Sequence, residues 1–525
     1  MKSILKISLL VVIALALGSC QDYNQLVKNP NLPVSSPPSL LLTGIVNNMN
    51  NENAWNGIQG SMSAAQFWIS SYTYYGTNNY DQSPFQNVNF NYYSTLENVV
   101  QMELAAKNAG GGAVNPYEAL GKFFRAYYYN LMSQKFGDIP MSKALQGSTQ
   151  VAPVYDDQKT IYLQILSWLD GANTDLAQLI ATNDQTLSGD PFLSNSLPAW
   201  QKVVNAFTLR VLVSLSKKTA DTDLNVAAKF AAIVNNPTKY PVMTGNGDAL
   251  VYTYNAQFNI YPKNPGNRGQ VINREVVGSS FLNLTTSLKD PRTFIAATPA
   301  PAQLQAGKLY SDYAAYVGGN AGDDIGTVLG PASQGGQYSY VNALRYYSTY
   351  DGSKAEPAII IGYPEMCFNI AEGINRGWAT GNAATWYTNG ITASMHFFGI
   401  TEGGTIPVGD ILYNVYGNVT TSISAYLAQA SVQYQGNNAT GLSQILTQKY
   451  IAFWQNSSWE PFFNQRRTGI PAFSAGIGTG NGGVIPVRWQ YPIPEKSANP
   501  ANYSAAIQRQ FVGNDNLNGK MWILQ

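Results

Sequence analysis

The feature that most constrains this chain is a helical period that recurs along its sequence. In IYLQILSWLDGANTDLAQLI (161–180), apolar residues return at steps of three and four, which places them on one face of a helix. The segment PYEALGKFFRAYYYNLMSQKFGDIP (116–140) predicts another helix, with Pro116 at its start and Gly137 and Pro140 at its end. Because such helices are apolar on one face only, each must pack against a neighbouring element.

Further segments carry the same period and can be read as consecutive pairs. These predicted helices cover 198–218, 224–235, 363–377, 383–398, 422–430 and 442–456. Units of roughly 35 to 45 residues with two helices each are typical of tetratricopeptide-like hairpins. The helical period therefore predicts a mainly α scaffold, whereas the period alone does not assign the repeats.

The residues between the helical pairs have a different composition. Segments near 67–95, 240–350 and 400–420 are rich in Gly, Pro, Asn and Tyr and lack a long amphipathic period. Long irregular loops held on a rigid scaffold are where binding functions are usually found. We therefore expect these insertions to form a ligand-binding face.

The N-terminus, MKSILKISLLVVIALALGSC, is typical of an export signal. Two lysines precede an apolar run of eleven residues (7–17), which is shorter than the roughly 20 residues that a membrane-spanning helix needs. The run ends in LGSC (17–20), which resembles a bacterial lipobox. This pattern predicts a signal peptide over 1–19 and lipid attachment at Cys20.

The residues that follow the lipobox predict how the rest of the chain is divided. Residues 20–39 are rich in Pro, Asn and Ser without an apolar period, which is typical of an extended tether. We expect a single domain over 40–525. Cys367 is the one other cysteine in the sequence, so the domain has no internal disulfide and relies on its core.

The charge balance argues against nucleic acid as a partner. Charged residues make up 12% of the chain, and 31 Lys and Arg against 30 Asp and Glu leave a net charge of +1. Binding to a phosphate backbone needs a positive face, and the sequence contains no basic block. The polar surface must instead consist largely of Asn, Gln, Ser, Thr and Tyr.

The sequence offers little for catalysis. His396 is the single histidine, which together with one internal cysteine excludes zinc sites built from His and Cys. The adjacent carboxylates Asp156-Asp157 and Asp323-Asp324 lie in turn-like sequence, which favours helix caps or solvated turns. We therefore predict no catalytic residue, no metal site and no cofactor.

One aromatic segment, FWISSYTYYGTNNYDQ (67–82), is unusual because its rings alternate with small polar residues instead of aliphatic ones. The C–H faces of a sugar pack on aromatic rings, and its hydroxyls need amide or carboxylate partners. The predicted stacking residues are Trp68, Tyr72, Tyr74, Tyr75 and Tyr80. The predicted hydrogen-bonding residues are Asn78, Asn79 and Asp81.

Other tyrosine-rich segments compete with this one for a binding role. LYSDYAAY (309–316) and QYSYVNALRYYSTY (337–350) have a similar character. In a chain with 34 tyrosines, however, many of these rings must pack in the core. The aromatic segments are therefore either a ligand-binding surface or helix-packing residues.

Several motifs, in the expected order along nearly the whole mature chain, resemble one known family. They include FGDIPMSKALQG (136–147), APVYDDQKTIYLQIL (152–166), PEMCFNIAEGINRG (364–377), FFNQRRTGIP (462–471) and KMWIL (520–524). Together they are similar to the SusD/RagB-type nutrient-binding lipoproteins of Bacteroidetes. The resemblance implies four tetratricopeptide-like hairpins that support a variable, loop-rich face.

The resemblance also implies a location and a partner. Members of this family sit on the outer surface of the outer membrane through their lipid, here on Cys20. They act as a lid on a SusC-like TonB-dependent transporter and capture oligosaccharides, or in some cases peptides, for import. Ligand residues vary between members, so the resemblance assigns none of them here.

The matching motifs themselves imply structural roles. Gly137, Asp138 and Pro140 are expected to shape a helix end. Arg466 and Arg467 are expected to form buried ion pairs, with Glu365 or Glu372 as partners.

We therefore expect a non-enzymatic surface lipoprotein that binds a neutral oligosaccharide and delivers it to a transporter. Three alternatives remain open from the sequence. The chain could capture peptides, or it could be a surface glycosidase, which requires two carboxylates about 5 to 9.5 Å apart. It could also be a structural lid whose aromatic segment faces the barrel.

Overall fold

A computed structural model describes most of the predicted domain. The residues that it describes are 36–50, 60–71, 85–86, 88–271 and 273–525. The predicted signal peptide, the lipid-attachment residue Cys20 and the tether up to residue 35 lie outside these residues.

Helices dominate the described residues. In chain order they are α1 (Pro38–Asn48), α2 (Ser61–Ala64), α3 (Tyr93–Asn108), α4 (Pro116–Phe136), α5 (Gln158–Ala181), α6 (Leu197–Ser214), α7 (Val226–Asn235), α8 (Arg268–Val271), α9 (Ser279–Ser287), α10 (Arg292–Ala296), α11 (Pro301–Gln305), α12 (Ile325–Ser333), α13 (Ala343–Tyr346), α14 (Tyr363–Asn375), α15 (Ala383–Phe397), α16 (Ile423–Leu427), α17 (Ala439–Ala452), α18 (Glu460–Thr468), α19 (Glu495–Ala498) and α20 (Pro500–Phe511). No helix among the described residues is both long enough and apolar enough to span a bilayer.

The strands among the described residues are short and form three separate antiparallel pairs. They are β1 (Trp68–Ser70), β2 (Leu250–Tyr252), β3 (Glu275–Val277), β4 (Ala358–Ile361), β5 (Thr405–Gly409) and β6 (Val415–Thr420). β1 pairs with β3, β2 with β4, and β5 with β6. The first two pairs join residues far apart in sequence, whereas β5 and β6 form a local hairpin.

The long helices begin where the sequence predicts, for local chemical reasons. The side chain of Asn115 accepts hydrogen bonds from the free amides of Tyr117 and Glu118 at the start of α4, at 3.0 and 3.1 Å. Asp157 caps α5 in the same way, accepting from the Thr160 amide at 2.9 Å. The cap predicted for the Asp156-Asp157 pair is therefore confirmed for Asp157.

Consecutive helices pack against each other along the chain. α4 contacts α3 and α5, α5 contacts α6, and α14 contacts α15, α17 and α6. The predicted mainly α, tetratricopeptide-like scaffold is confirmed. The helix predicted over 422–430 is shorter than expected, because α16 ends at Leu427.

The buried apolar residues in the part of the chain that the structure describes form two clusters. The larger lies between the scaffold helices and includes Phe123, Trp200 and Phe207. The smaller lies under the loop-rich side, where Phe281 stacks on Trp454 with ring centres 4.6 Å apart. The insertions therefore share this smaller cluster with the scaffold helices α14, α15 and α17.

The ion pairs of Glu372 with Arg467 and of Glu365 with Arg210 are buried and follow the predicted motif in part. Arg467 donates to both oxygens of Glu372 at 2.6 and 3.0 Å, which confirms that pair. Burial acts to raise the pKa of Glu372, but Arg467 and Arg376 outweigh it and lower that pKa to about 2. Glu365 pairs with Arg210 instead, at 2.7 and 2.5 Å.

The ion pair predicted for Arg466 is wrong. Its guanidinium donates to the carbonyl oxygens of Val487 and Gln134 and to the Gln134 side chain, at 2.5 to 2.8 Å. Arg466 therefore joins α18 to α4 through neutral acceptors. Burial lowers the pKa of Arg466 to about 9.

The Phe-Gly-Asp-Ile-Pro motif shapes the end of α4, as expected. Gly137 has φ +91°, and a Cβ there would lie 2.1 Å from the side-chain oxygen of Gln510. Asp138 accepts from the Gln158 amide at 2.9 Å and from Arg509. Burial raises the pKa of Asp138 to about 6 against the opposing effect of Arg509.

Candidate ligand-binding face

The predicted aromatic segment begins at a fixed strand. β1 pairs with β3 in the register Trp68 to Val277, and the Ser71 amide donates to the Arg274 carbonyl at 3.0 Å. Phe67 stacks on Tyr450 with ring centres 4.6 Å apart. The start of the segment is therefore part of the smaller core.

Most of the predicted binding residues lie beyond that strand. Tyr72, Tyr74, Tyr75, Asn78, Asn79, Tyr80 and Asp81 are outside the described residues. Their predicted roles remain predictions.

Trp68 is described, and it is a core residue. Its side chain is 1% exposed, and its ring meets Trp454 edge to face with centres 6.4 Å apart. The ammonium of Lys263 lies 4.9 Å from its centre. This placement does not support the stacking role predicted for Trp68, because neighbouring side chains already cover the ring.

A network of buried polar groups lies next to Trp68. Lys263 donates to both oxygens of Glu275 at 2.5 Å, and the Tyr347 hydroxyl donates to the same carboxylate at 2.8 Å. Burial lowers the pKa of Lys263. The network joins β3 to residues 261–263 and so fixes the loop that follows β2 beside the base of the aromatic segment.

The loop over residues 253–268 presents apolar side chains to solvent. The Asn255 side chain accepts from the Gln257 and Phe258 amides at 3.0 and 2.7 Å, which forms a tight turn. Phe258 projects from this turn and is 92% exposed, and Ile260 is 48% exposed. A large ring that is held outward by a defined turn is suited to contact a ligand.

Tyr350 lies beside this loop. Its carbonyl accepts from the Tyr261 amide at 2.8 Å, and its own ring is 46% exposed. A Cβ on Gly266 would lie 3.4 Å from the Tyr350 hydroxyl. Tyr350 is therefore the exposed member of the predicted 337–350 segment, whereas Tyr340, Tyr346 and Tyr347 are buried.

The tip of the β5–β6 hairpin reaches the same loop. Arg268 donates to the Ile411 carbonyl at 2.5 Å, and its guanidinium lies 4.1 Å from the centre of the Tyr413 ring. Asp410 accepts from the Leu412 amide at 2.8 Å, which turns the chain and leaves Leu412 66% exposed. We call residues 253–268, Tyr350 and the hairpin tip 410–414 the candidate face.

The composition of the candidate face suits a neutral, hydroxyl-rich ligand. Exposed apolar groups alternate with the amides of Asn255, Gln257 and Asn414. Rings and aliphatic groups can cover the C–H faces of a sugar while amides bind its hydroxyls. Sequence reasoning singled out Tyr350 only as part of a segment and missed Phe258 and Leu412.

The side chains that were considered for catalysis are exposed, buried or bound to backbone amides. His396 is exposed on α15, and Cys367 is buried, where burial raises the pKa of its thiol to about 12. Asp156 accepts from the Met141 and Ser142 amides, both at 2.8 Å. In the part of the chain that the structure describes, no group of three or more His, Cys, Asp or Glu residues could hold a metal ion.

Comparison with known proteins points to one family. A family described as "starch-binding associating with outer membrane" matches residues 30–492. A SusD homologue of Bacteroides fragilis is 29% identical, covering 93% of this chain and 100% of its own, with a TM-score of 0.81. No curated protein matches this chain.

Two other solved structures extend the comparison. A Bacteroides vulgatus protein suggested to be an outer membrane protein involved in nutrient binding is 29% identical, with coverage of 93% and 100% and a TM-score of 0.78. A chitin-binding SusD homologue of Flavobacterium johnsoniae is 20% identical, with coverage of 92% and 98% and a TM-score of 0.67, and it shares the fold. Since the family match covers most of the chain, this protein belongs to the SusD-like family of outer-membrane-associated binding proteins.

Proposed function

We propose that this chain is a lipid-anchored surface protein that captures a neutral oligosaccharide and delivers it to a SusC-like TonB-dependent transporter. The observation that carries the proposal is the candidate face. Phe258 and Tyr350 are exposed there among amides, and Lys263 of the same loop contacts Trp68 in the strand that precedes residues 72–82.

The nature of the ligand follows from the charge of this face. Arg268 is engaged by Ile411 and Tyr413, and Lys263 is paired with Glu275 beneath the surface. Asp410 accepts from the Leu412 and Asn414 amides at 2.8 and 2.9 Å. A peptide or a polyanion would gain from free charged anchors, whereas a neutral sugar gains from rings and amides. Descriptions of similar proteins as starch-binding and chitin-binding support the same ligand class.

The aromatic segment completes the proposed site. Tyr72, Tyr74, Tyr75 and Tyr80 would supply further stacking surfaces, and Asn78, Asn79 and Asp81 would bind hydroxyls. The pairing of β1 with β3 supports this arrangement, because it anchors the segment at Ser71, next to Asn273 and Arg274.

The location and the partner form the second half of the proposal. The lipobox at 17–20 supports a lipid on Cys20, and the family description supports the outer membrane. Expressing the tagged full-length chain and its Cys20→Ser variant in the native host tests both. The wild type is expected in the outer-membrane fraction, accessible to external protease, and to co-purify with a barrel protein. A wild type found without a barrel partner would contradict delivery to a transporter.

A glycan array tests the ligand. The chain from residue 21 onward would be screened against starch-derived, chitin-derived and other neutral oligosaccharides, and against a peptide library. Binding to neutral glycans supports the proposal, whereas binding to peptides alone would replace it with peptide capture. Release of shorter sugars during incubation would indicate a glycosidase.

A further inference from the structure

A second concave surface lies on the other part of the β5–β6 hairpin, away from its tip. It is a cavity of about 370 Å³ at the end of β6 and the start of α16. Its lining includes Lys289, Phe294, Tyr313, Val419, Thr420 and Ser422. Aromatic side chains and hydroxyl groups therefore occur together in it.

The aromatic side of this cavity is held in place by ring contacts. Phe294 is buried and lies 4.9 Å from Tyr313 and 5.3 Å from Tyr316, measured between ring centres. The Tyr313 hydroxyl donates to the Lys289 carbonyl at 2.7 Å. Tyr313 is thus a fixed, half-buried ring at the wall of the cavity.

A stacked tyrosine pair, formed by one residue of β6 and one of a neighbouring turn, lies closer to the hairpin tip. Tyr310 and Tyr416 have ring centres 6.4 Å apart and planes at 25°. Tyr416 is 41% exposed. A Cβ on Gly417 would lie 2.2 Å from the Tyr310 hydroxyl, so the glycine lets that ring lie directly on the strand.

The pair and the cavity lie one after the other along β6, and we call them together the track. Residues 310–313 run beside β6, since Tyr310 meets Tyr416 and Gly417 while Tyr313 shares the cavity wall with Val419. From Tyr416 to Thr420 the strand advances about 13 Å at its usual rise. The track begins near the hairpin tip, which belongs to the candidate face.

Charged side chains occur along the track. Burial and the nearby Asp410 together raise the pKa of Tyr416, and Asp312, between Tyr310 and Tyr313, accepts from the Leu309 amide at 2.9 Å.

Lys289 is exposed and is the charged side chain among the described residues that line the cavity. The neighbouring Asp290 is buried and engaged by Arg292 at 2.9 and 2.6 Å. Glu402, near Ser422, accepts from the Ser422 and Ser424 hydroxyls. Because these two neighbouring carboxylates bind other groups, the Lys289 ammonium can donate to hydroxyl groups of a bound molecule.

We propose that this track is a second glycan subsite, which binds further sugar units of an oligosaccharide whose other end occupies the candidate face. Tyr310 and Tyr416 stack on one unit, and Tyr313, Thr420 and Lys289 contact the next in the cavity. This inference rests on the proposed function, because it assumes that the ligand is a glycan. It predicts that affinity depends on glycan length.

The test is a calorimetric titration of the mature chain with malto-oligosaccharides and chito-oligosaccharides of increasing length. Tyr416→Leu removes a ring but keeps apolar area, whereas Tyr416→Phe keeps the ring. We expect Tyr416→Leu to weaken binding of the longer glycans by about threefold to tenfold. Short glycans should bind the variant as they bind the wild type, and Tyr416→Phe should retain full affinity.

Two further variants probe the rest of the track. Gly417→Ala should displace Tyr310 and reproduce the length-dependent loss. Lys289→Met should weaken the longest glycans alone. Unchanged thermal unfolding of the Tyr416 variants would show that they fold, as expected for an exposed ring.

The outcomes separate the two proposals. If wild-type affinity for a bound glycan does not change with length, or if Tyr416→Leu binds all lengths like the wild type, the subsite is wrong and the proposed function stands. An equal loss at every length would place Tyr416 in the primary site and also overturn the subsite. If the wild type binds neither glycan series but binds peptides, both proposals fail.

Discussion

The ammonium of Lys263 lies 4.9 Å from the centre of the Trp68 ring and 2.5 Å from both carboxylate oxygens of Glu275. These three side chains join β1, β3 and the loop that carries Phe258. Residues 67–71 at the start of the aromatic segment and the exposed loop therefore share one buried support.

Removing one member of this support should destabilise the domain. Glu275→Gln leaves the buried Lys263 ammonium without its carboxylate, and breaking a buried ion pair costs about 3 to 5 kcal/mol. The free energy of unfolding, measured with urea, should fall by that amount. Asp223→Asn, which removes an exposed partner of Lys159, is the matched control, with an expected change below about 1 kcal/mol. Equal effects of the two variants would contradict the account of the support.

The pair of Arg467 and Glu372 predicts a specific pH dependence. The pKa of Glu372 is lowered in the folded state from its usual 4.5 to about 2. Its stabilising effect is therefore fully present above pH 4.5 and is lost as the pH falls towards 2, a loss of about 3 kcal/mol.

The Glu372→Gln variant isolates this effect. Urea unfolding of both proteins at several values between pH 6 and about pH 2.5 should show the wild-type advantage shrinking as the pH falls. A difference in unfolding free energy that stays constant over this range would show that Glu372 does not titrate as described.

The end of α4 depends on a glycine in a left-handed conformation. Gly137→Ala combines an unfavourable φ of +91° with a Cβ placed 2.1 Å from Gln510, so we expect a loss of more than about 1 kcal/mol. Gly44→Ala in α1 is the control. Its Cβ would meet nothing within 4 Å, and alanine in a helix should stabilise by about 0.5 to 1 kcal/mol. Thermal unfolding measures both, and opposite signs are expected.

Arg268 should hold the hairpin tip against the loop. Arg268→Lys loses the planar stack on Tyr413 and the bond to the Ile411 carbonyl, since an ammonium cannot reproduce both contacts. We expect faster hydrogen exchange at residues 410–416 and an unchanged rate in α5. Unaltered exchange at the tip would mean that β5 and β6 fix it without Arg268.

Much of the scaffold could be predicted from the sequence, because a helix depends mainly on residues that are close together in the chain. The apolar period of 161–180, the helix caps and Gly137 each depend on residues that are only a few positions apart in the chain. α5 extends from Gln158 to Ala181, and α14 and α15 begin at the predicted positions. The Arg467–Glu372 ion pair could be predicted only from the resemblance of its motif to that of a known family.

The candidate face could be predicted only in outline, because its contacts join distant segments. Trp68 resembled an exposed platform in sequence, yet its strand pairs with Glu275–Val277 and places it in the core. No sequence pattern indicated that Phe258 is exposed, since its exposure depends on a turn formed by Asn255. Arg466 was assigned a carboxylate partner, although neutral carbonyls of Gln134 and Val487 satisfy it.

The central claim is that a neutral oligosaccharide binds at the candidate face. Calorimetric titration of the best glycan from the array into the mature chain and into its Phe258→Ala/Tyr350→Ala variant tests this most directly. Val151→Ala, which alters an exposed residue beside α20, serves as the control. We predict that the double variant loses at least about tenfold in affinity, because it removes two stacking surfaces, while Val151→Ala binds like the wild type. Wild-type affinity in a well-folded double variant would contradict the claim and place the ligand elsewhere on the protein.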